Sequence, residues 1–180
     1  MSNSKSHSKT LHAGQYLNLQ ERDGWEFISR VHGVVMIVAI TDQNELLLVE
    51  QYRQPLQKRV IELPAGLVGD HGEDEPPVTA AHRELLEETG YDAADIEPLL
   101  IAAASPGMAN ETIAIYRARQ LTKVDDGGGD ESEDIVVHRV ALNNLAVWLS
   151  EKNQAGLMID ARVYAAPTLL SLEPKEIPGW

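Results

Sequence analysis

Cysteine is absent from the 180 residues, which removes disulfide frameworks and thiolate chemistry and favours a cytoplasmic setting. Long apolar runs are missing as well. The best of them, VVMIVAI at residues 34–40, falls far short of a membrane span and suits a buried strand. The opening MSNSKSHSKT is polar and lacks the apolar stretch of a secretory signal, so residues 1–9 read as a loose tail. Basic residues are scarce, 15 against 28 acidic, for a formal charge of −13. A nucleic-acid surface needs a basic footprint, and that class is excluded. An acidic chain that binds a phosphorylated ligand must instead borrow cations or place a few arginines with care. No repeat with a period of about 20–50 residues is present, which excludes a solenoid.

What is present fits one globular domain. Hydrophobic residues make up 43% of the chain and charged residues 24%, an ordinary balance for a protein with a real core. YLNLQ, the turn ERDG and WEFISR alternate as a hairpin within residues 11–32. VVMIVAI and ELLLVEQ, separated by TDQN, read as a second strand pair, and VIELPAGLVG is a short apolar segment broken by Pro64 and Gly66. A helix is expected from the Pro76–Pro77 pair, which suits a first turn, to Gly90, which suits the residue just past the end. Strands follow at EPLLIAAA, TIAIYRA and IVVHRVAL, with the acidic stretch DDGGGDESED (residues 125–134) as a mobile loop before the last. Helical patterns occupy about 142–153 and 159–172. Strands early and helices around them imply an α+β sandwich.

The helix carries the unusual pattern, RELLEETG at residues 83–90. At 100° per residue, Val78, Ala81, His82, Leu85 and Thr89 share a core side, while Glu84, Glu87 and Glu88 lie on a separate arc. Like charges one turn apart destabilise a helix by roughly 0.2–0.5 kcal/mol per pair. A solvated helix surface would tolerate that. Clustered hard oxygens are also what Mg²⁺ or Mn²⁺ requires, usually together with substrate phosphates and water.

The wider spacing decides between these readings. Gly69, five residues, Glu75, seven residues, then Arg83-Glu84-Leu85-Leu86-Glu87-Glu88-Thr89-Gly90-Tyr91 resembles the signature box of Nudix hydrolases at every fixed position. The resemblance implies an α/β/α sandwich, here with an N-terminal β extension, and metal-dependent cleavage of nucleoside diphosphates linked to another group. It implies Glu84 and Glu88 as metal ligands with Glu87 beside them, Arg83 orienting the carboxylates, and Glu75 supporting the loop.

Outside the box, EQYRQPLQKRVIELPAG (residues 50–66) resembles the ADP-ribose pyrophosphatase branch, which acts on nucleoside diphosphate sugars. That likeness implies a metal contact from the Ala65 carbonyl, a diphosphate contact from Arg53, and Glu62 at its side. SPGMANE resembles the branch's substrate loop, with Pro106 sixteen residues after Gly90, Gly107 next to it, and Glu111 facing sugar hydroxyls. An ordinary turn at Pro106 and Gly107 is the alternative. DGWEFISR is similar to the segment that sets a tryptophan against the base and an arginine near phosphate, here Trp25 and Arg30; Tyr16 stands where some members place a second aromatic. LMIDARVYA resembles the branch's last helix.

Diphosphate hydrolysis also needs a base within reach of the attacking water. Similarity of ESEDIVVH to the branch's acidic loop offers Glu133 as metal ligand or base and Glu131 as the other base. Their alternative is a disordered polar loop. The branch's exchanged dimer implies residues 10–32 as a dimerising β extension that brings Trp25 to the neighbouring site. Residues 33–174 would then form the hydrolase domain and 175–180 a tail. Competing functions are another Nudix substrate class, such as nucleoside triphosphates or dinucleoside polyphosphates, and a non-catalytic sensor. The complete box argues against the sensor.

Overall fold

In the computed structural model, residues 8–30, 32–69, 75–129 and 134–176 are described. The fold is α+β. A central sheet runs in the order β7 (Ala65–Leu67), β4 (Val34–Ala39), β9 (Thr112–Lys123), β8 (Tyr91–Ala103), with β4 and β9 parallel. A second sheet orders β10 (Val136–Ala141), β5 (Glu45–Arg53), β6 (Lys58–Glu62) and β11 (Met158–Ile159). Helix α1 (Pro77–Thr89) covers one face, and α2 (Leu145–Gln154) with α3 (Ala166–Leu170) belongs to the other. No helix among the described residues is long and apolar enough to cross a membrane.

The apolar run of β4 is explained by this layering. Met36 and Val38 point into a core with Leu46, Ile61, Leu149 and Val163, while Val35, Ile37 and Ala39 point the other way, toward Ala80, Ala81 and Leu85 of α1. A strand buried on both faces cannot alternate with polar residues. β9 repeats the division, with Ile113 and Ile115 on one side and Ala114 and Tyr116 on the other. Each fully buried Leu, Ile or Val contributes about 1.5–3 kcal/mol.

β4 and β5, expected as a pair, lie in different sheets; they pack through their side chains, and an isolated bridge, Ile40–Leu46, joins the turn between them instead of a ladder. Each needs two covered faces, and β4 finds its partners in β7 and β9. β8 begins at Tyr91, earlier than the EPLLIAAA reading, and its register slips between Pro98 and Leu100, where proline has no N–H for the ladder. The helix expected at 159–172 is broken up. Ile159 pairs with Ile61, Asp160 starts a 3₁₀ turn over Ala161–Ala165, and α3 follows. On α1, Ala81, Leu85 and Thr89 are buried as expected, but His82 is half exposed and pairs with Asp92 at 2.7 Å, and Val78 is exposed.

The expected hairpin is β2 (Asn18–Arg22) with β3 (Trp25–Ser29), joined by Asp23 and Gly24 at φ 53° and 83°, the positive angles of a tight two-residue turn. β1 (Lys9–Ala13) adds a third, exposed strand within the expected β extension, starting one residue earlier at Lys9. This small sheet meets the rest of the chain at Ile28, whose N–H donates to Met108 O at 2.8 Å and whose carbonyl accepts from Asn110 N at 3.1 Å.

Candidate active site

α1 is fixed at both ends. Pro77 opens it, and Gly90 closes it at φ 72°, donating its N–H to Leu86 O at 2.8 Å. The carbonyls left over at its last turn are met from outside the helix: Gly128 N donates to Glu88 O and Gly129 N to Glu87 O, each at 3.0 Å. The glycine run read as part of a mobile loop is therefore packed on the box helix through residue 129. Glu131 and Glu133 lie outside the described residues.

Arg83 is the hub of the box. Its Nε and Nη2 donate to Glu75 at 2.9 and 3.1 Å, Nη1 to Glu84 at 2.7 Å and to Glu87 at 3.0 Å, and Nη2 to Leu67 O at 3.0 Å. Hydrogen bonding to Glu75, ahead of that to Glu84 and Glu87 and against the effect of burial, raises the guanidinium pKa further. Glu75 also accepts from Gly69 N at 3.0 Å and so ties the incoming loop to the helix. The like charges thus tolerate one another because one cation and several N–H donors face them.

Glu84 and Glu88 are buried, whereas Glu87 is exposed. Both buried carboxylates lie against β7. Ala65 N donates to Glu88 Oε2 at 3.0 Å, and a methyl group at Gly66 would stand 1.9 Å from Glu84 Cδ. Only glycine leaves room for that carboxylate. No three His, Cys, Asp or Glu side chains among the described residues form a closed metal cage. The donor set nevertheless fits a hard dication: Glu75, Glu84 and Glu87 bond one guanidinium and Glu88 is bonded to Ala65, leaving an acidic surplus, and such ions share protein carboxylates with water and phosphate.

Beside this cluster opens a cleft of about 790 Å³ that Glu84, Ala65 and Gly66 line. Arg53 and Glu62 form one of its walls, joined at 2.9 Å through Nε, and Arg30 and Glu111 another, at 2.6 Å. Met108 borders both this cleft and a second of about 480 Å³, which holds Trp25, Pro106 and Gly107. Trp25 therefore stands beside residues 106–110 of its own chain, 75% exposed. Tyr16 lies away from both clefts, hydrogen-bonded to Gln15. Asp160 and Arg162 also line the larger cleft and went unread in the sequence. Their signal was the DAR within LMIDARVYA, obscured by its reading as a regular helix.

Comparison with known proteins agrees with this geometry. The chain is 40% identical over 147 residues to the methanol dehydrogenase activator of Bacillus methanolicus, covering 81% of this chain and 73% of that one. It is 35% identical over 142 residues to the ADP-ribose pyrophosphatase of Bacillus subtilis, covering 78% and 73%. The crystal structure of an ADP compounds hydrolase superposes with a TM-score of 0.70 at 24% identity, over 91% of this chain and 89% of that one, and shares the fold. A NUDIX domain model matches residues 30–158, and the chain belongs to the Nudix hydrolase family.

Proposed function

We propose that this protein hydrolyses the diphosphate bond of ADP-ribose and related nucleoside diphosphate sugars, releasing a nucleoside monophosphate and a sugar phosphate. One observation carries the reading: of two buried carboxylates, Glu84 lines a cleft flanked by arginines from separate strands and loops, and Glu88 is bonded to Ala65 of the same wall. The relation to the Bacillus subtilis ADP-ribose pyrophosphatase supports the substrate class.

Nudix hydrolases generally need a divalent metal ion. Here Glu84, Glu87, Glu88 and the Ala65 carbonyl would hold Mg²⁺ or Mn²⁺, with Glu133 as a further ligand. Such an ion acidifies water and offsets charge on phosphoryl oxygens. Arg83 orients the carboxylates. Arg53, held by Glu62, and Arg30, held by Glu111, neutralise the diphosphate, and Glu111 also faces sugar hydroxyls. Trp25 stacks on the base, with Pro106 and Gly107 closing that end. A water oxygen attacks one phosphorus as the bridging P–O bond breaks. Glu133 or Glu131 takes the water's proton, and the other phosphate departs with the bridging oxygen.

The working form is a cytoplasmic homodimer in which the N-terminal sheet exchanges between subunits. Exposed Leu11 on β1, with exposed Tyr16 and Leu17 in the connection to β2, supports an interface. A panel of ADP-ribose, GDP-mannose, other nucleoside diphosphate sugars, nucleoside triphosphates and dinucleoside polyphosphates, assayed with Mg²⁺, tests the reading. Release of nucleoside monophosphate is fastest from the nucleoside diphosphate sugars. A clear preference for triphosphates or dinucleoside polyphosphates would contradict it.

A further inference from the structure

Three arginine–carboxylate pairs stand around the larger cleft, from parts of the chain far apart in sequence. Arg30 is held by Glu111, Arg53 by Glu62, and Arg162 by Asp160 through Nε–Oδ1 at 2.8 Å and a second, shorter contact between Nη2 and Oδ2. In each pair the carboxylate is the sheltered member, with 11–18% of its side chain exposed, while the guanidinium stays 41–45% open. Arg162 thus repeats the arrangement of the two arginines already assigned to the diphosphate.

Its position is built by the backbone. Asp160 N donates to Ile61 O at 2.9 Å, which sets Asp160 beside Glu62, and the Asp160 carboxylate accepts from Arg162 N at 2.8 Å. Burial alone would raise the Asp160 carboxyl, but hydrogen bonds from Arg162, with the nearby charges of Arg162 and Arg53, hold it below the ordinary aspartate range. Arg162 in turn feels Glu62 and Glu111, the carboxylates of the other two pairs, so it lies among all three. Arg162 Nη1 has no hydrogen-bond partner among the described residues. An ion pair this open adds little to stability, so fold maintenance does not explain a third forked cation facing the cleft.

We propose that Arg162 is a third substrate-binding arginine, which contacts the diphosphate of a nucleoside diphosphate sugar together with Arg30 and Arg53. The inference rests on the hydrolase reading above. A planar guanidinium matches phosphoryl oxygens two at a time, and a lysine at the same place supplies charge without that fork.

The test compares the wild-type protein with Arg162→Gln and Arg162→Lys. It uses steady-state kinetics on ADP-ribose with Mg²⁺, calorimetric binding of the α,β-methylene analogue of ADP-ribose, and thermal melting. Arg162→Gln raises KM and the analogue Kd about tenfold or more, with kcat changed by less than about threefold, as expected for lost binding of a charged group. Arg162→Lys folds, because it keeps the charge opposite Asp160, and raises both constants at least about threefold through loss of the fork. If Arg162→Gln does not fold, Arg162→Lys alone decides. Unchanged KM and analogue affinity in a folded variant, or a fall in kcat alone, overturn the proposal. A wild-type protein that binds the analogue without hydrolysing ADP-ribose overturns the hydrolase reading instead, and the analogue affinities still decide on Arg162.

Discussion

Glu88 accepts the backbone N–H of Ala65 at 3.0 Å across 23 positions of sequence. That bond joins the box helix to the strand beyond Pro64, at a residue that lines the cleft. A glutamine at position 88 can still accept from Ala65 N but carries no charge. Glu88→Gln is expected to melt like the wild type while losing about a hundredfold or more in turnover, the scale on which a single charge-stabilising group acts. Unchanged turnover at saturating Mg²⁺ removes Glu88 from the site.

Gly66 tests the same site from the opposite wall. An added methyl group would meet the Glu84 carboxylate at 1.9–2.3 Å, and the carboxylate, as the end of a flexible side chain, can swing away. Gly66→Ala is therefore expected to change stability by less than about 1 kcal/mol. Its turnover should fall by about tenfold or more, as when a ligand's support is lost. Thermal melting and kcat measured on one preparation check the split; a variant with normal kcat shows that the seat of Glu84 does not matter.

Much of this arrangement was legible because local signals agreed. Pro77, Gly90 and the spacing of Arg83, Glu84 and Glu88 fix the helix and its carboxylate arc without any tertiary information. The burial of Glu84 and Glu88 was not legible, since it depends on β7 lying across the helix. Nor was the separation of β4 from β5: two apolar strands joined by a short turn read as a hairpin until the need to cover both faces of each is met by other strands. Asp160 and Arg162 were hidden by a different cause. Their helix-like surroundings contain a two-residue strand, and the pairing of Ile159 with Ile61 that creates it is a long-range event.

The glycine run offers a stability test. Gly127 has φ 70°, and a methyl group there would meet Thr89 C, Gly90 N and Glu88 O at 2.4–2.8 Å. These are backbone atoms that cannot step aside. Gly127→Ala is expected to lower stability by about 1–3 kcal/mol, through backbone strain and loss of the N–H groups that cap α1. Chemical denaturation measures it; an unaltered midpoint would mean that residues 127–129 do not clasp the helix in solution.

A second charged cluster gives a pH signature. Glu50 meets His138 Nε2 at 2.9 Å and Arg59 Nε at 2.6 Å, and Arg59 continues to Asp134 at 2.7 Å. Burial raises the Glu50 carboxyl, but the bonds and charges of His138 and Arg59 outweigh it and leave the group below its usual 4.5. A depressed carboxyl adds stability that is complete above its unfolded value and drains away as pH falls through the folded value. The Tm advantage of wild type over Glu50→Gln should therefore be full at neutral pH and shrink below pH 4.5. A constant difference down to acid unfolding would show that the Glu50 charge contributes nothing.

The most direct measurement is ³¹P NMR of ADP-ribose incubated with the protein while Mg²⁺ is titrated in. Two phosphate monoester signals, AMP and ribose 5-phosphate, should grow in equal amounts as the diphosphate signals fade. They should be absent with chelator, and greatly slowed in Glu88→Gln. Diphosphate signals that persist at saturating Mg²⁺, or products that form at the same rate without metal or without Glu88, would contradict metal-dependent hydrolysis at this carboxylate site.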